Sequence, residues 1–289
     1  MKTFIRTHPV LTYFALTFAI SWGGVLLVIG GASEMTGVKA QDNPLFPFAV
    51  LAMLAGPSVT GILLTGLVDG KPGLHEIGSR LLAWRAGVRW YAIALLAAPL
   101  LAAAVALTLS RFSPEFLPAI VVADDKAGVL LLGLVVGLTA GFFEEIGWTG
   151  FAIPRLRRRH GVLATGLIVG LVWSAWHVLV VTWGIGNRAG TIPLPLFVVL
   201  DGLAGLPAFR VLMVWVYDRT ESLFVAMLMH VSLTACTLIL TPQTTGVHLL
   251  IYSLVLAAAL WAVIGLLAAA ARAGGGIRHL PAHGASSAQ

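Results

Sequence analysis

The sequence predicts an all-α, polytopic membrane protein with about eight transmembrane helices. Of its 289 residues, 58% are hydrophobic and only 10% are charged, and the mean hydropathy is +0.95. A soluble domain carries roughly 25% charged residues. The apolar residues also run in blocks of about 20, which is the length a helix needs to cross the hydrocarbon core of a bilayer. These observations exclude an ordinary soluble protein.

Eight apolar blocks have spanning length. The first begins like a signal peptide, but its apolar run is too long and no small-x-small cleavage site follows, so we expect a retained helix. Pro57, Pro99, Pro193 and Pro195 are expected to kink helices or to start them. The blocks are 10–31, 45–68, 89–110, 127–150, 161–183, 192–216, 221–241 and 247–271.

Two segments are too polar to span. Residues 69–88 carry leucines and an isoleucine at helical spacing, which predicts an amphipathic helix at the membrane interface. Residues 273–289 are rich in glycine and polar residues and are predicted to be a disordered cytoplasmic tail. The domain is therefore expected to occupy 1–272.

The distribution of basic residues predicts the orientation, because cytoplasmic loops carry an excess of Lys and Arg. With eight spans in the cell membrane, both termini are predicted to be cytoplasmic. The basic run RLRRRH (155–160) is then a cytoplasmic loop, and no nucleic-acid partner is expected. The predicted cytoplasmic set is Lys2, Arg6, Lys71, Arg80, Arg85, Arg89, Arg155, Arg157, Arg158, Arg159, Arg219, Arg272 and Arg278, against Lys39, Arg111, Lys126 and Arg188 on the other side.

Ionisable residues inside apolar blocks are costly and usually mark a functional site. Block four contains Glu144 and Glu145. At 100° per residue, Glu144 falls within a stripe formed by glycines at 133, 137 and 141, the kind of face along which membrane helices approach each other closely. His177 in block five lies on a similar stripe, and His230 in block seven shares a face with small and hydroxyl residues. All three are therefore expected to face other helices.

Two carboxylates and two imidazoles on facing helices can hold a water molecule. A carboxylate kept from bulk solvent can serve as its general base. The same side chains Glu144, His177 and His230 also match a His₂Glu ligand set for Zn²⁺ with an open position. Counting about 1.5 Å per residue, Glu144 and His230 lie roughly 10–15 Å inside the membrane and His177 roughly 24 Å. This difference of about two helical turns counts against the arrangement, because it would require block five to begin below the membrane interface or to tilt.

Block six adds Asp201 and Arg210. They are nine residues apart and so lie on opposite faces of one helix, which excludes a direct ion pair. Arg210 is expected to extend to the cytoplasmic interface, and Asp201 has no assigned role. The single cysteine, Cys236, excludes an internal disulfide and a cysteine metal site.

Three motifs carry a family resemblance. They are EEIGWT (144–149), WSAWH (173–177) and HVSLT (230–234), on blocks four, five and seven. In order, spacing and placement they resemble the motifs EExxxR, FxxxH and HxxxN of the CAAX protease and bacteriocin-processing family, also called the Abi family of intramembrane proteases. The resemblance implies a CAAX-protease-like bundle of eight helices, with a motif core over 127–241.

The resemblance also implies residue roles. Glu144 would activate water with help from His177, Glu145 would orient the set, and His230 with Thr234 would stabilise the oxyanion. Three positions depart from the motifs. Thr149 replaces the arginine, so that Arg155 or Arg210 would have to supply the cation. Trp173 replaces phenylalanine but keeps an aromatic wall, and Thr234 replaces asparagine with a shorter donor.

The function implied is an endopeptidase acting on a membrane-associated peptide or prenylated protein, either CAAX-like or resembling a bacteriocin or pheromone. The lipid bilayer is the other expected partner. The resemblance leaves open whether Zn²⁺ or no cofactor is used. Two alternatives remain: a non-catalytic membrane scaffold or immunity protein on the same fold, and a proton-coupled transporter, since buried carboxylates and histidines also conduct protons.

Overall fold

Nine helices of twelve or more residues make up most of the part of the chain that the computed structural model describes, which is residues 2–35, 40 and 43–273. Eight of them are long and apolar enough to cross a membrane. No strand occurs in these described ranges. The helices are α1 (Pro9–Ile29), α2 (Phe46–Val68), α3 (Gly70–Leu81), α4 (Val88–Leu109), α5 (Lys126–Gly147), α6 (Val162–Ile185), α7 (Leu194–Thr220), α8 (Leu223–Leu240) and α9 (Gly246–Ala273).

The predicted fold class, an all-α polytopic membrane protein, is confirmed. Each apolar block corresponds to one spanning helix, with ends that differ from the predicted ones by a few residues. The interfacial segment forms the short amphipathic helix α3. Pro57 and Pro99 lie inside α2 and α4, whereas Pro193 and Pro195 stand at the start of α7. The predicted disordered tail falls almost wholly on residues 274–289, which lie outside the described residues.

The glycine stripes bring helices into close contact, as predicted. A Cβ atom at Gly137 would lie 2.8 Å from the carbonyl oxygen of Val231, so the stripe of α5 packs directly on the backbone of α8. On α6, a Cβ at Gly170 would lie 2.6 Å from the Cα of Pro207 in α7. Such short separations leave no space for a larger side chain, and small residues are what permit them.

The opposite side of α5 faces outwards. Leu131, Leu134 and Leu138 are each at least half exposed, which suits a surface in contact with lipid. Contact between this apolar side and lipid is favourable. The polar residues of α5 are therefore turned towards the other helices.

The helical path changes immediately after the two glutamates. Trp148–Ala152 form a π-helical turn whose five residues are all buried, and Ile153–Arg157 return to α-helix. Single π turns inside longer helices occur frequently at functional sites. At this turn α5 crosses α2, because Gly147 lies directly against the backbone of Pro57.

Candidate functional site

The polar centre of the molecule is formed by side chains from four helices, α5 to α8. Glu144, Glu145, Trp173, Arg210 and His230 are each at most 2% exposed. The glycine contacts described above position them, because α5 lies close to α8 and α6 lies close to α7. Charged side chains are almost never buried to this degree unless they are paired.

Glu145 is the most fully bonded member of this centre. Nη1 of Arg210 donates to both carboxylate oxygens at 2.9 Å, and Nδ1 of His230 lies 2.6 Å from Oε1. The hydroxyl of Thr149 donates to Oε2. Glu145 therefore has a cation, an imidazole and a hydroxyl group around one carboxylate.

Glu144 has a different environment. Its Oε2 accepts a hydrogen bond from the indole Nε1 of Trp173 at 2.6 Å, and its Oε1 lies 3.8 Å from Nε2 of His230. The second separation is too long for a direct hydrogen bond, and a contact of this length is one that a water molecule can bridge. One oxygen of Glu144 is thus fixed while the other faces His230 across a gap.

The hydrogen-bond network assigns the proton of His230. Glu145 forms an ion pair with Arg210 and so acts as a carboxylate, which only accepts hydrogen bonds. The short contact between His230 and Glu145 therefore requires the proton on Nδ1. Consequently Nε2 of His230 is the nitrogen that faces Glu144.

His177 stands beside this network rather than within it. It is half-buried, its Nδ1 lies 2.9 Å from the carbonyl oxygen of Trp173, and its ring packs on Trp173 and Trp176 at centroid distances of 5.2 Å and 4.7 Å. Within the described residues, no hydrogen bond joins it to the glutamates or to His230. It is Trp173, one turn earlier on α6, that reaches Glu144, which agrees with the excess depth calculated for His177.

The two threonines of the motifs differ. Thr149 is fully buried and bonded to Glu145. Thr234 is half-buried, and in the described part of the chain no hydrogen bond joins it to Glu144, Glu145 or His230. Of the two threonine replacements, only Thr149 therefore contributes to the network.

The expectation that Arg210 extends to the cytoplasmic interface is wrong. Arg210 is 0% exposed and ten residues from the end of α7, which is about 15 Å at 1.5 Å per residue and beyond the reach of its side chain. It pairs with Glu145 instead because a buried cation requires a carboxylate. Arg155, the other candidate for that partner, pairs with Asp69.

Asp201 lies apart from the polar centre. It accepts a hydrogen bond from Ser253 of α9. The deduction that Asp201 and Arg210 cannot pair agrees with these contacts. The same deduction also points to the partner of Arg210. With Asp201 on the opposite face of α7, the intramembrane carboxylates left for Arg210 are those of Glu144 and Glu145.

Trp173 was expected to be an aromatic wall, and its role as a hydrogen-bond donor to Glu144 was missed.

The three side chains named as Zn²⁺ ligands, Glu144, His177 and His230, do not converge. Among the residues that the structure describes, no group of three His, Cys, Asp or Glu side chains is close enough to hold a metal ion. The histidines would each offer Nε2, since both Nδ1 atoms are engaged, and each ring packs against Trp173 at a centroid distance of 5.2 Å. The zinc hypothesis stays a prediction.

Fold and site together define a polytopic membrane protein with a buried glutamate–histidine–arginine centre between its fourth and seventh spans. Residues 126–236, which contain all three motifs, match the family model described as Rce1-like, type II CAAX prenyl endopeptidase. A segment of 40 residues is 40% identical to CAAX prenyl protease 2 of Methanococcus maripaludis and covers 14% of this chain. The matched segment spans 15% of the length of that relative. These matches confirm the family resemblance that the motifs indicate.

Proposed function

We propose that this protein is an intramembrane endopeptidase that hydrolyses a peptide bond in a membrane-associated peptide, using water activated by Glu144. The observation that carries the proposal is the gap of 3.8 Å between Oε1 of Glu144 and Nε2 of His230. Each group is held on its other side by a hydrogen bond of 2.6 Å, to Trp173 and to Glu145 respectively. A water beside this pair, within hydrogen-bond distance of both atoms, would meet a fixed base and a fixed imidazole.

Glu144 acts as the general base in this mechanism. Its Oε1 takes a proton from the water as the water oxygen attacks the carbonyl carbon of the substrate. When the tetrahedral intermediate collapses, the protonated Glu144 gives this proton to the leaving amine, so that the carboxylate is regenerated. Proton transfer of this kind contributes typically 10²- to 10⁴-fold to the rate.

His230 acts on the developing oxyanion. Since Glu145 engages the proton on Nδ1, His230 takes up a second proton at Nε2 from solvent before the reaction, and the resulting imidazolium directs its Nε2 hydrogen towards the reacting carbonyl oxygen. Donors that are already fixed in a site closed to water stabilise such charge more than mobile ones do. His177 and Thr234 are proposed as helpers, His177 through its Nε2 and Thr234 through a hydroxyl one turn beyond His230.

The proposed substrate is a membrane-associated peptide or prenylated protein. Support for the prenylated class comes from the match of residues 126–236 to a family described as CAAX prenyl endopeptidases. A bacteriocin-like or pheromone-like precursor is the other substrate within this proposal. The burial of the glutamates among spanning helices favours a substrate that approaches from the lipid phase.

Peptide cleavage by the purified protein in liposomes tests this function. We would use a fluorogenic panel with prenylated and unprenylated peptides, and the variants Glu144→Gln and His230→Ala. Glu76→Gln and His248→Ala are the matched controls, since they make the same changes at residues outside the centre. We expect the first two variants to lose at least about 100-fold in kcat and the controls to cleave normally.

The alternatives give different results in the same preparation. A folded wild type that cleaves no peptide in the panel would contradict the endopeptidase and favour a scaffold or immunity protein. Solute uptake that depends on a proton gradient and disappears in Glu144→Gln would instead favour a transporter.

A further inference from the structure

We propose that Arg210 is the positioning residue of Glu145, and that α7 thereby supplies the cation that the motif would place at position 149. The role of Arg210 in catalysis depends on the function proposed above. The origin of the cation beside Glu145, which comes from α7 and not from residue 149, is a property of the fold. The effect of a substitution at position 210 should therefore depend on the residue at position 149.

The first observation is the fixed geometry of Arg210. Its guanidinium carbon lies 4.1 Å from the ring centroid of Trp173, and its Nη1 bonds both oxygens of Glu145. Its Nε and Nη2 are buried and have no hydrogen-bond partner among the described residues. Glu145 is therefore the group that neutralises this charge, and Trp173 sets the plane of the guanidinium.

The second observation is the position of Thr149. It lies one helical turn after Glu145, is fully buried, and its hydroxyl donates to Oε2 of the same carboxylate. Positions 149 and 210 thus approach one carboxylate from two helices. A short hydroxyl at 149 leaves the space and the charge balance that an arginine at 210 requires.

A steric and electrostatic consequence follows. One carboxylate can neutralise one buried guanidinium, and a second would stay uncompensated in a region of low dielectric, which is strongly destabilising. Arginine at both positions should therefore be as harmful as arginine at neither. Arginine at either position alone should be tolerated.

The link to catalysis runs through His230. Arg210 holds Glu145, Glu145 holds Nδ1 of His230 at 2.6 Å, and this fixes the direction of Nε2. Loss of Arg210 would leave Glu145 without its cation and free to turn. Since misplacement by about 1 Å can cost about 100-fold in rate, we expect kcat to fall while KM changes little.

The test is a cycle of variants in the full chain: Arg210→Met, Thr149→Arg, and the two combined. Arg210→Lys tests whether the planar guanidinium is needed, since lysine keeps the positive charge but carries it on a compact ammonium group. Thr149→Met combined with Arg210→Met is the control for volume, because it fills position 149 without a charge. For each protein we would measure the thermal transition in detergent and kcat and KM separately.

We expect each single substitution to lower both the transition temperature and kcat, the latter by roughly 10- to 100-fold. The combination of Thr149→Arg with Arg210→Met should recover most of both losses, and the methionine pair should recover neither. A combined variant that is no better than the worse single one, or a methionine pair that recovers equally well, would overturn the proposal. If the wild type cleaves no peptide, the proposed function is contradicted. The thermal transition temperatures would still show whether an arginine at position 149 can replace the one at position 210.

Discussion

Gly147 offers a direct test of how the polar centre depends on helix packing. A Cβ at this position would lie 2.2 Å from the carbonyl oxygen of Pro57 and 2.3 Å from the hydroxyl of Tyr13. Ordinary contact begins at 3.4 Å, so in Gly147→Ala the α2–α5 crossing must open by more than about 1 Å. The nearest obstacle is backbone, which cannot rotate away as a flexible side chain can.

Two effects are expected from this opening. Overpacking of a closely packed core costs typically about 1–3 kcal/mol. The glutamates lie two and three residues before Gly147, so a shift of about 1 Å there reaches the catalytic geometry and can lower the rate about 100-fold. We therefore expect Gly147→Ala to reduce both the transition temperature and kcat.

The matched control is Gly23→Ala on α1, where a Cβ would meet nothing within 4 Å. Replacing glycine by alanine inside a helix is favourable by up to about 1 kcal/mol, so this variant should be as stable as the wild type or more so. The assays are thermal unfolding in detergent and peptide cleavage. Equal transition temperatures and equal kcat for the two variants would refute the packing argument.

Three further outcomes follow from the contacts of single side chains. Trp173→Phe removes the indole donor of Glu144 and should cost about 1–3 kcal/mol in unfolding free energy, whereas unchanged stability would show that the bond is unimportant. Asp201→Asn should leave cleavage intact, because Asp201 bonds to Ser253 away from the centre; a loss of kcat would place it in the mechanism. Thr234→Asn should raise kcat, because the longer amide extends further towards the oxyanion than the hydroxyl; an unchanged or lower kcat contradicts this.

Much of the fold could be predicted because the bilayer imposes simple rules on the sequence. Spanning length and apolar composition located the eight spanning helices of the described residues, and the glycine stripe on block four correctly indicated the face that packs on α8. Periodicity could not reveal the π turn at Trp148–Ala152, because one turn of different hydrogen bonding leaves the apolar pattern of the segment unchanged.

The site was harder to predict because pairing depends on depth and on rotamer. His177 was placed in the centre by its motif, but Trp173 is at the level of Glu144 and makes the bond. Arg210 was assigned to the interface by a general tendency of long basic side chains. Counting its distance from the end of α7 would have excluded that assignment and left a glutamate as its partner.

The distribution of charge places the two adjacent glutamates in different environments. The centre contains two carboxylates and one guanidinium, and the guanidinium bonds only Glu145 among the described residues. Glu145 is therefore neutralised, and its Oε1 lies 2.6 Å from Nδ1 of His230. Glu144 has the indole N–H of Trp173 but no such cation among the described residues, which supports its proposed role as the general base. Pairs of titratable groups held in contrasting environments are how enzymes separate such roles. Glu145→Gln should accordingly impair the fold and catalysis together, since it leaves Arg210 buried and unpaired, whereas Glu144→Gln should abolish cleavage in a protein that unfolds at nearly the wild-type temperature.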